Sequence, residues 1–131
     1  MKYLLDTNAF YLLTADFNAL PVSYQRILTD ETNEFVLSPA SIWEMAIKVR
    51  LGKLDLNGVS LEDATGRLRM KQRIGLLPIK RGHLLRIALL PKTPNHGDPF
   101  DLLIIAQALT ENLPVLTSDG KFHLYGVDVV R

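Results

Sequence analysis

The segment Tyr3-Leu4-Leu5-Asp6 is a short apolar run that ends in a carboxylate. The pattern returns near the end of the sequence, where the apolar run at residues 115–116 is followed by Thr117, Ser118 and Asp119. Apolar runs this short, separated by longer periodic segments, predict strands that alternate with helices. In a parallel sheet, ligand sites form beyond the carboxyl ends of the strands. We therefore expect Asp6 and Asp119 to lie at one shared site.

The whole chain continues this alternation. We predict strands at residues 2–5, 34–37, 76–79, 114–117 and 127–130. We predict helices at residues 7–14, 21–30, 39–51, 61–73, 81–90 and 98–112, with an ordered loop at residues 91–97. Such an order is typical of a parallel sheet covered by helices on both faces. The prediction is an α/β fold, a three-layer α/β/α sandwich with a mainly parallel sheet of about five strands, formed by residues 1–131 as a single domain.

Composition restricts the classes of protein. The chain has 131 residues, of which 47% are hydrophobic and 22% charged, with a net charge of +1 and no cysteine. This balance is typical of a globular protein, and the lack of cysteine excludes disulfide scaffolds, thiolate zinc sites and thiol nucleophiles. The N-terminus meets Asp6 after only three apolar residues, and no apolar run approaches the ~18–20 residues that cross a bilayer. We expect a cytoplasmic protein without a membrane segment.

Two further carboxylates stand in apolar surroundings. Glu44 lies in the apolar helix segment at residues 42–47, and Asp101 opens the most hydrophobic helix of the chain. If they converge with Asp6 and Asp119, the four negative charges repel one another. Two unit charges ~4 Å apart repel by about 4 kcal/mol at an effective dielectric constant of about 20. Protons or cations would relieve that repulsion, and oxygen ligands favour Mg²⁺ or Mn²⁺. The pattern predicts a metal site and hence a nuclease.

Each acid also has a purely structural explanation. Asp6 can cap the helix that follows it, and Glu44 can pair with Lys48 one helical turn later. Asp98 precedes Pro99 as a helix N-cap, which places Asp101 in the first turn near the positive end of the helix. Asp119 precedes a glycine and can be an ordinary turn residue. His96 is interpreted either as an accessory of the site or as a loop residue.

The basic residues are grouped along the chain. The groups are Lys48, Arg50 and Lys53, then Arg67, Arg69, Lys71 and Arg73, then Lys80, Arg81 and Arg86. Basic rims around an acidic centre would suit a polyanion that is held by its phosphates and cut at a metal. The alternative is that each group is a solvated helix face.

Four segments together resemble the motifs of PIN-domain nucleases. They are residues 4–8, residues 38–44, residues 96–101 with the run at 103–108, and residues 116–119. The resemblance spans essentially the whole chain. The size and motifs of the chain are similar to those of VapC-type toxins of toxin–antitoxin systems. It implies a PIN-like fold and a Mg²⁺-dependent endoribonuclease that cuts RNA, with Mn²⁺ as a possible substitute. It also implies a homodimer and a small cognate antitoxin that blocks the acidic cleft.

The resemblance also assigns residues. Asp6, Glu44, Asp101 and Asp119 are implied as catalytic and metal-binding residues. In the third motif Asp98 competes with Asp101, and we favour Asp101 because it leads directly into the apolar helix. The predicted accessory residues are Asp98, Thr7, Asn8, Ser41, Thr117 and Ser118. One metal ion and two remain equally open.

Three other functions compete with this interpretation. A receiver-like signalling domain also binds Mg²⁺ beyond parallel strands, but it needs an adjacent acidic pair, and Asp6 is followed by Thr7 and Asn8. A dehalogenase-like phosphatase needs a second aspartate at position 8. A catalytically degenerate PIN-like module would keep the fold and bind RNA without cleaving it.

Overall fold

The structure, a computed structural model, describes residues 1–94 and 96–130. Its strands are β1 (Lys2–Leu5), β2 (Glu34–Leu37), β3 (Ile74–Leu76) and β4 (Val115–Leu116). Its α-helices are α1 (Thr7–Ala15), α2 (Val22–Thr29), α3 (Pro39–Arg50), α4 (Leu61–Asp63), α5 (Arg69–Lys71), α6 (Arg81–Ile87) and α7 (Pro99–Glu111). A π-helical segment (Ala64–Leu68) joins α4 to α5, and 3-10 helices span Phe17–Ala19 and Phe122–Tyr125. Strands and helices alternate as predicted.

The four strands form one parallel sheet in the order β3-β2-β1-β4. The predicted fifth strand, at residues 127–130, is reduced to a single parallel bridge between Val129 and Val115. Two backbone hydrogen bonds flank that bridge, from the Val115 N–H to the Asp128 carbonyl and from the Val130 N–H to the Val115 carbonyl. The α/β fold class is confirmed, and the described part of the chain has four strands in place of about five.

Alternate residues of the strands pack in two separate hydrophobic cores, one on each face of the sheet. Leu5 and Leu37 pack on one face of the sheet with Phe10 of α1 and Met45 of α3. Leu4 and Val36 pack on the other face with α7 and the Phe122–Tyr125 helix. The run of buried apolar residues on both faces is what a parallel sheet requires, because helices cover each side. The protein is therefore a three-layer α/β/α sandwich.

The prediction for β3 was wrong, because the strand begins two residues and ends three residues before the predicted range of 76–79. The strand covers Ile74–Leu76, where Ile74 is buried opposite Phe35 and Leu76 pairs with Leu37. Pro78 has no backbone N–H to donate to a neighbouring strand, so the ladder cannot continue through it. The predicted loop at residues 91–97 includes Asn95, which lies outside the described residues. None of the helices in the described residues has both the length and the apolar character needed to cross a membrane.

Candidate active site

The predicted acids meet at the carboxyl end of the sheet. Asp6 directly follows β1, and Asp119 lies three residues after β4, the strand that pairs with β1 through Leu5 and Leu116. A cleft of about 470 Å³ opens there. The carboxylates that line this cleft are those of Asp6, Glu44, Asp55, Asp101 and Asp119. The structure thus brings the four predicted acids to one cleft and adds Asp55.

Asp6 is the most deeply buried of the four predicted acids, with 6% of its surface exposed. Its Oδ1 accepts the Ala9 N–H at 2.7 Å, which caps α1, and its Oδ2 accepts the Thr117 hydroxyl at 2.5 Å. Burial raises the pKa of Asp6 to about 6, and the negative charges of Asp101 and Asp119 add to the rise. The two hydrogen bonds lower that pKa only in part. A neighbouring cation would hold this group in its charged form.

Glu44 reaches the cleft from the middle of α3. Its Oε1 accepts the Thr7 hydroxyl at 2.7 Å and its Oε2 pairs with Lys48 Nζ at 2.9 Å. The Ser41 hydroxyl lies 2.9 Å from that of Thr7, so the predicted accessories Thr7 and Ser41 both support this carboxylate. The side chain of Glu44 is only 12% exposed, whereas that of Lys48 is 47% exposed. The ion pair therefore joins a largely buried carboxylate to a half-exposed ammonium group.

The two acids of the third motif, Asp98 and Asp101, have different roles at the start of α7. Asp98 Oδ1 accepts the N–H groups of Phe100 and Asp101, at 2.9 and 3.0 Å, and so acts as the helix N-cap. Asp101 lines the cleft, and the residues that line it do not include Asp98. Burial raises the pKa of Asp101 to about 6, and the neighbouring charge of Asp98 contributes to the rise. The predicted cap at Asp98 is confirmed.

Asp119 belongs to a short turn after β4. Its Oδ1 accepts the Lys121 N–H at 2.9 Å, and its own N–H donates to the Thr117 hydroxyl at 3.0 Å. Ser118, which lines the cleft, accepts a 3.4 Å hydrogen bond from the Asn8 side chain. Asp6, Glu44 and Asp119 therefore have the structural roles expected of a helix cap, an ion-pair partner and a turn residue. They line the cleft as well.

His96 lies beside two acids of the cleft, whereas the sequence left its role open. Its Nε2 lies 3.3 Å from Asp101 Oδ2 and 3.9 Å from Asp119 Oδ2, and its side chain is only 5% exposed. One ligand atom from each of these three residues lies within 4.8 Å of the others. Sequence spacing could not reveal this group, because 18 residues and a strand separate Asp101 from Asp119. The available signal was the position of His96 two residues before Asp98.

Residues of two of the basic groups line different pockets. Lys48 and Lys53 line the cleft. Lys71 and Arg73 line a separate surface pocket, together with Asp30 and Glu31. Within the described residues, the basic rim of the cleft therefore comes from the group at residues 48–53.

The donors at the cleft fit a divalent cation. Asp101 and Asp119 offer carboxylate oxygens, which hard ions such as Mg²⁺ and Mn²⁺ bind. The raised pKa values of Asp6 and Asp101 show that burial and mutual repulsion disfavour their charged forms. A cation at the cleft would offset both effects. The residues present therefore suit the metal that the four-motif pattern implies.

Comparison with solved structures supports the same fold. FitAcB from Neisseria gonorrhoeae contains a chain with 25% identity and a TM-score of 0.65, over 100% of this chain and 97% of that chain. VapBC-1 from nontypeable Haemophilus influenzae contains one with 21% identity and a TM-score of 0.67, over 99% and 97%. VapBC2 from Rickettsia felis, bound to a DNA fragment from its promoter, contains one with 19% identity and a TM-score of 0.65, over 99% and 98%. The latter two similarities, below 25% identity, concern the fold alone.

No curated protein matches the chain in sequence. The family model of the PIN domain matches residues 3–127, which is nearly the whole chain and includes all four segments of the predicted resemblance. The predicted resemblance to PIN domains is confirmed, and the chain belongs to the PIN domain family.

Proposed function

We propose that this protein is a Mg²⁺-dependent endoribonuclease that acts as the toxin of a toxin–antitoxin pair. The observation that carries the proposal is the convergence of Asp6, Glu44, Asp101 and Asp119 on one cleft with lysines at its edge. PIN domains are generally metal-dependent nucleases, and this chain keeps an acid in each of the four motif positions. Mn²⁺ is a possible substitute for Mg²⁺.

In this proposal Asp6, Asp101 and Asp119 hold the ion, and Glu44 contributes directly or through water. When bound there, a divalent ion would supply an activated water and would offset negative charge on the phosphate and the leaving oxygen. Thr117 fixes Asp6 through its hydroxyl and Thr7 fixes Glu44, so both carboxylates are positioned before RNA binds. Positioning of this kind avoids reorganisation during the reaction.

The lysines of the cleft suit the backbone of RNA. Lys53 is exposed and Lys48 is half exposed, so both ammonium groups can reach phosphates on either side of the cut. Contacts to phosphates supply affinity and register without reading the sequence. The choice of RNA is then left to the shape of the cleft and the residues around it.

The partners are proposed from the same family resemblance. The similar chains belong to structures of FitAcB, VapBC-1 and VapBC2, which supports a cognate antitoxin for this chain. We propose a homodimer as well, which is supported by the exposed leucines Leu84, Leu85 and Leu89 on and after α6. We further propose that residues 1–131 form a single domain. This domain and its antitoxin would act together in the cytoplasm.

An RNA-cleavage assay tests the activity. The purified protein should cut single-stranded RNA in Mg²⁺, and excess EDTA should abolish the cutting until Mg²⁺ is restored. Asp6→Asn should keep the fold and lose turnover by orders of magnitude. Cutting that persists in EDTA would refute the metal mechanism, and RNA binding without any cutting would favour the degenerate binding module.

A second experiment tests the partner. We expect a short reading frame beside the gene, and the small protein that it encodes should co-purify with this chain and inhibit RNA cleavage at an equimolar ratio. A neighbouring protein that neither binds nor inhibits would remove the toxin role and leave the nuclease.

A further inference from the structure

His96 presents one ring nitrogen to two carboxylates of the cleft. Its Nε2 lies 3.3 Å from Asp101 Oδ2 and 3.9 Å from Asp119 Oδ2. In an octahedral shell with bonds of ~2.1 Å, neighbouring ligand atoms are about 3 Å apart and opposed ones about 4 Å. The two separations from Nε2 are therefore those of ligands that share one ion, and the three atoms all lie within 4.8 Å of one another.

The other ring nitrogen of His96 has a partner of its own. Nδ1 lies 2.6 Å from the Tyr125 hydroxyl, and that hydroxyl lies 2.7 Å from the Thr93 hydroxyl. If Nδ1–H donates to Tyr125 and Tyr125 donates to Thr93, the lone pair of Nε2 faces Asp101 and Asp119. Histidines that bind metals almost always donate their second ring N–H to such a partner, which fixes the tautomer and the ring orientation.

Packing holds the imidazole in this orientation. The ring lies against the aromatic rings of Tyr125 and Phe122, with centroids 5.3 and 6.5 Å away, and the side chain is 5% exposed. A ligand that is fixed before the metal arrives loses little conformational freedom on binding. The surroundings of His96 are therefore those of a prepared ligand rather than of a mobile loop side chain.

The other two histidines are arranged differently. Nδ1 of His83 accepts the Lys80 N–H and its Nε2 contacts Glu111, so this buried ring serves to join α6 to α7. His123 is exposed in the Phe122–Tyr125 helix. All three histidines lie in the described part of the chain, and within it only His96 faces two carboxylates of the cleft.

We propose that His96 is a nitrogen ligand of the divalent ion, which it shares with Asp101 and Asp119, and that this nitrogen makes the site prefer Mn²⁺ to Mg²⁺. Imidazole suits first-row transition metals, whereas Mg²⁺ favours oxygen ligands. The inference deepens the proposed nuclease function, because it assigns a ligand within the same metal site. The competing explanation is that Nε2–H donates to Asp101 and that His96 only positions this carboxylate.

Pulsed electron paramagnetic resonance of bound Mn²⁺ separates the two explanations. The metal-loaded wild-type protein should show ¹⁴N coupling to Mn²⁺, and labelling its histidines with ¹⁵N should change that signal. His96→Gln should lose the nitrogen coupling and most of the preference for Mn²⁺ in calorimetric titrations, because an amide offers an oxygen in place of the nitrogen. His123→Gln is the matched control and should keep both properties.

Tyr125→Phe tests the support of the ligand. It removes the hydroxyl that meets Nδ1, and partners of this kind typically change metal affinity by about 10- to 100-fold. The variant should therefore bind Mn²⁺ more weakly while it retains the nitrogen coupling. An unchanged Mn²⁺ affinity would contradict the assigned tautomer.

The outcomes distinguish this inference from the proposed function. Bound Mn²⁺ without nitrogen coupling in the wild-type protein, or coupling that survives in His96→Gln, would overturn the assignment of His96 and leave the nuclease intact. A protein that binds neither Mn²⁺ nor Mg²⁺ would overturn the metal site itself. The ¹⁵N labelling needs no substitution, so the test remains valid even if His96→Gln fails to fold.

Discussion

Thr117 donates a 2.5 Å hydrogen bond from its hydroxyl to Oδ2 of Asp6, although 111 residues separate the two in the sequence. The same hydroxyl accepts the N–H of Asp119. The Thr117 carbonyl accepts a hydrogen bond from the buried Tyr24 hydroxyl, which also donates toward the Val130 carbonyl at 2.6 Å. Thr117, directly after β4, thus joins two acids of the cleft through its hydroxyl and contacts the second helix through its carbonyl.

Removal of this hydroxyl should affect both stability and activity. Thr117→Val keeps the shape of the side chain but leaves Asp6 Oδ2 without its donor and the Asp119 N–H without its acceptor. We expect a loss of about 1–3 kcal/mol in the free energy of unfolding, measured in urea, because buried polar groups lose their partners. RNA cleavage should fall as well.

Thr14→Val is the matched control for this change. Among the described residues, the Thr14 hydroxyl donates to the carbonyls of Phe10 and Tyr11 within its own helix, and the residues that line the cleft do not include Thr14. Cleavage should remain at the wild-type rate in this variant. Equal cleavage rates for Thr117→Val and wild type would show that the hydroxyl does not position the acids.

The two acids of the third motif should separate in a cleavage assay. Asp101→Asn removes a carboxylate from the cleft, and we expect turnover to fall by orders of magnitude. Asp98→Asn should retain activity and stability, because asparagine caps helices about as well as aspartate. Asp98→Ala should cost about 1 kcal/mol of stability through the lost cap. A fully active Asp101→Asn protein would contradict our choice between the two acids.

The metal-free protein should lose stability as the pH rises through about 6. Burial raises the pKa values of Asp6 and Asp101 from 3.8 to about 6 in the folded state. Between these values the folded state binds more protons than the unfolded state, so the free energy of unfolding falls with increasing pH. Chemical unfolding in EDTA from pH 4 to pH 8 measures this slope.

Two further measurements check that Asp6 and Asp101 cause this pH dependence. Asp6→Asn should flatten the pH dependence, because it removes one of the titrating groups. Saturating Mn²⁺ at pH 7 should restore stability, since a ligand that binds only the folded state stabilises it. A metal-free protein that becomes more stable from pH 4 to pH 7 would contradict the raised pKa values.

Phosphate contacts at the cleft should appear in the salt dependence of RNA binding. Lys53→Ala, tested in the Asp101→Asn background so that RNA is not cut, should weaken binding. It should also reduce the slope of log K against log salt concentration by about 0.7, the value for one phosphate of a single strand. Lys71→Ala, in the separate pocket beside Asp30 and Glu31, should leave the slope unchanged. Fluorescence anisotropy with a labelled RNA measures both.

The elements that were predicted correctly are those that local chemistry fixes. Ser38 accepts the Ala40 N–H and caps α3, and Asp98 does the same for α7, because proline at the first helical position and a polar cap act within one turn. Gly66, predicted to weaken the helix at residues 61–73, lies in its π-helical segment. These outcomes needed no knowledge of distant residues.

The errors arose where distant parts of the chain decide the outcome. The ends of β3 are set by pairing with β2 and by Pro78, and the apolar run at residues 76–79 could not reveal that register. For the second basic group, which includes Lys71 and Arg73, the sequence left a rim of the site and a solvated helix face open, and these two residues line another pocket. Sequence spacing carries no information on which side of the sheet a helix presents its charges.

The sequence by itself determined the alternation of strands and helices, the caps at Ser38 and Asp98, and the family, because each depends on residue types within a few positions of one another. The tertiary structure alone decided that His96 faces Asp101 and Asp119 and that Thr117 holds Asp6. These contacts form because parallel pairing places the ends of β1 and β4 side by side, and the packing of α7 on the sheet then brings its first turn to the same edge.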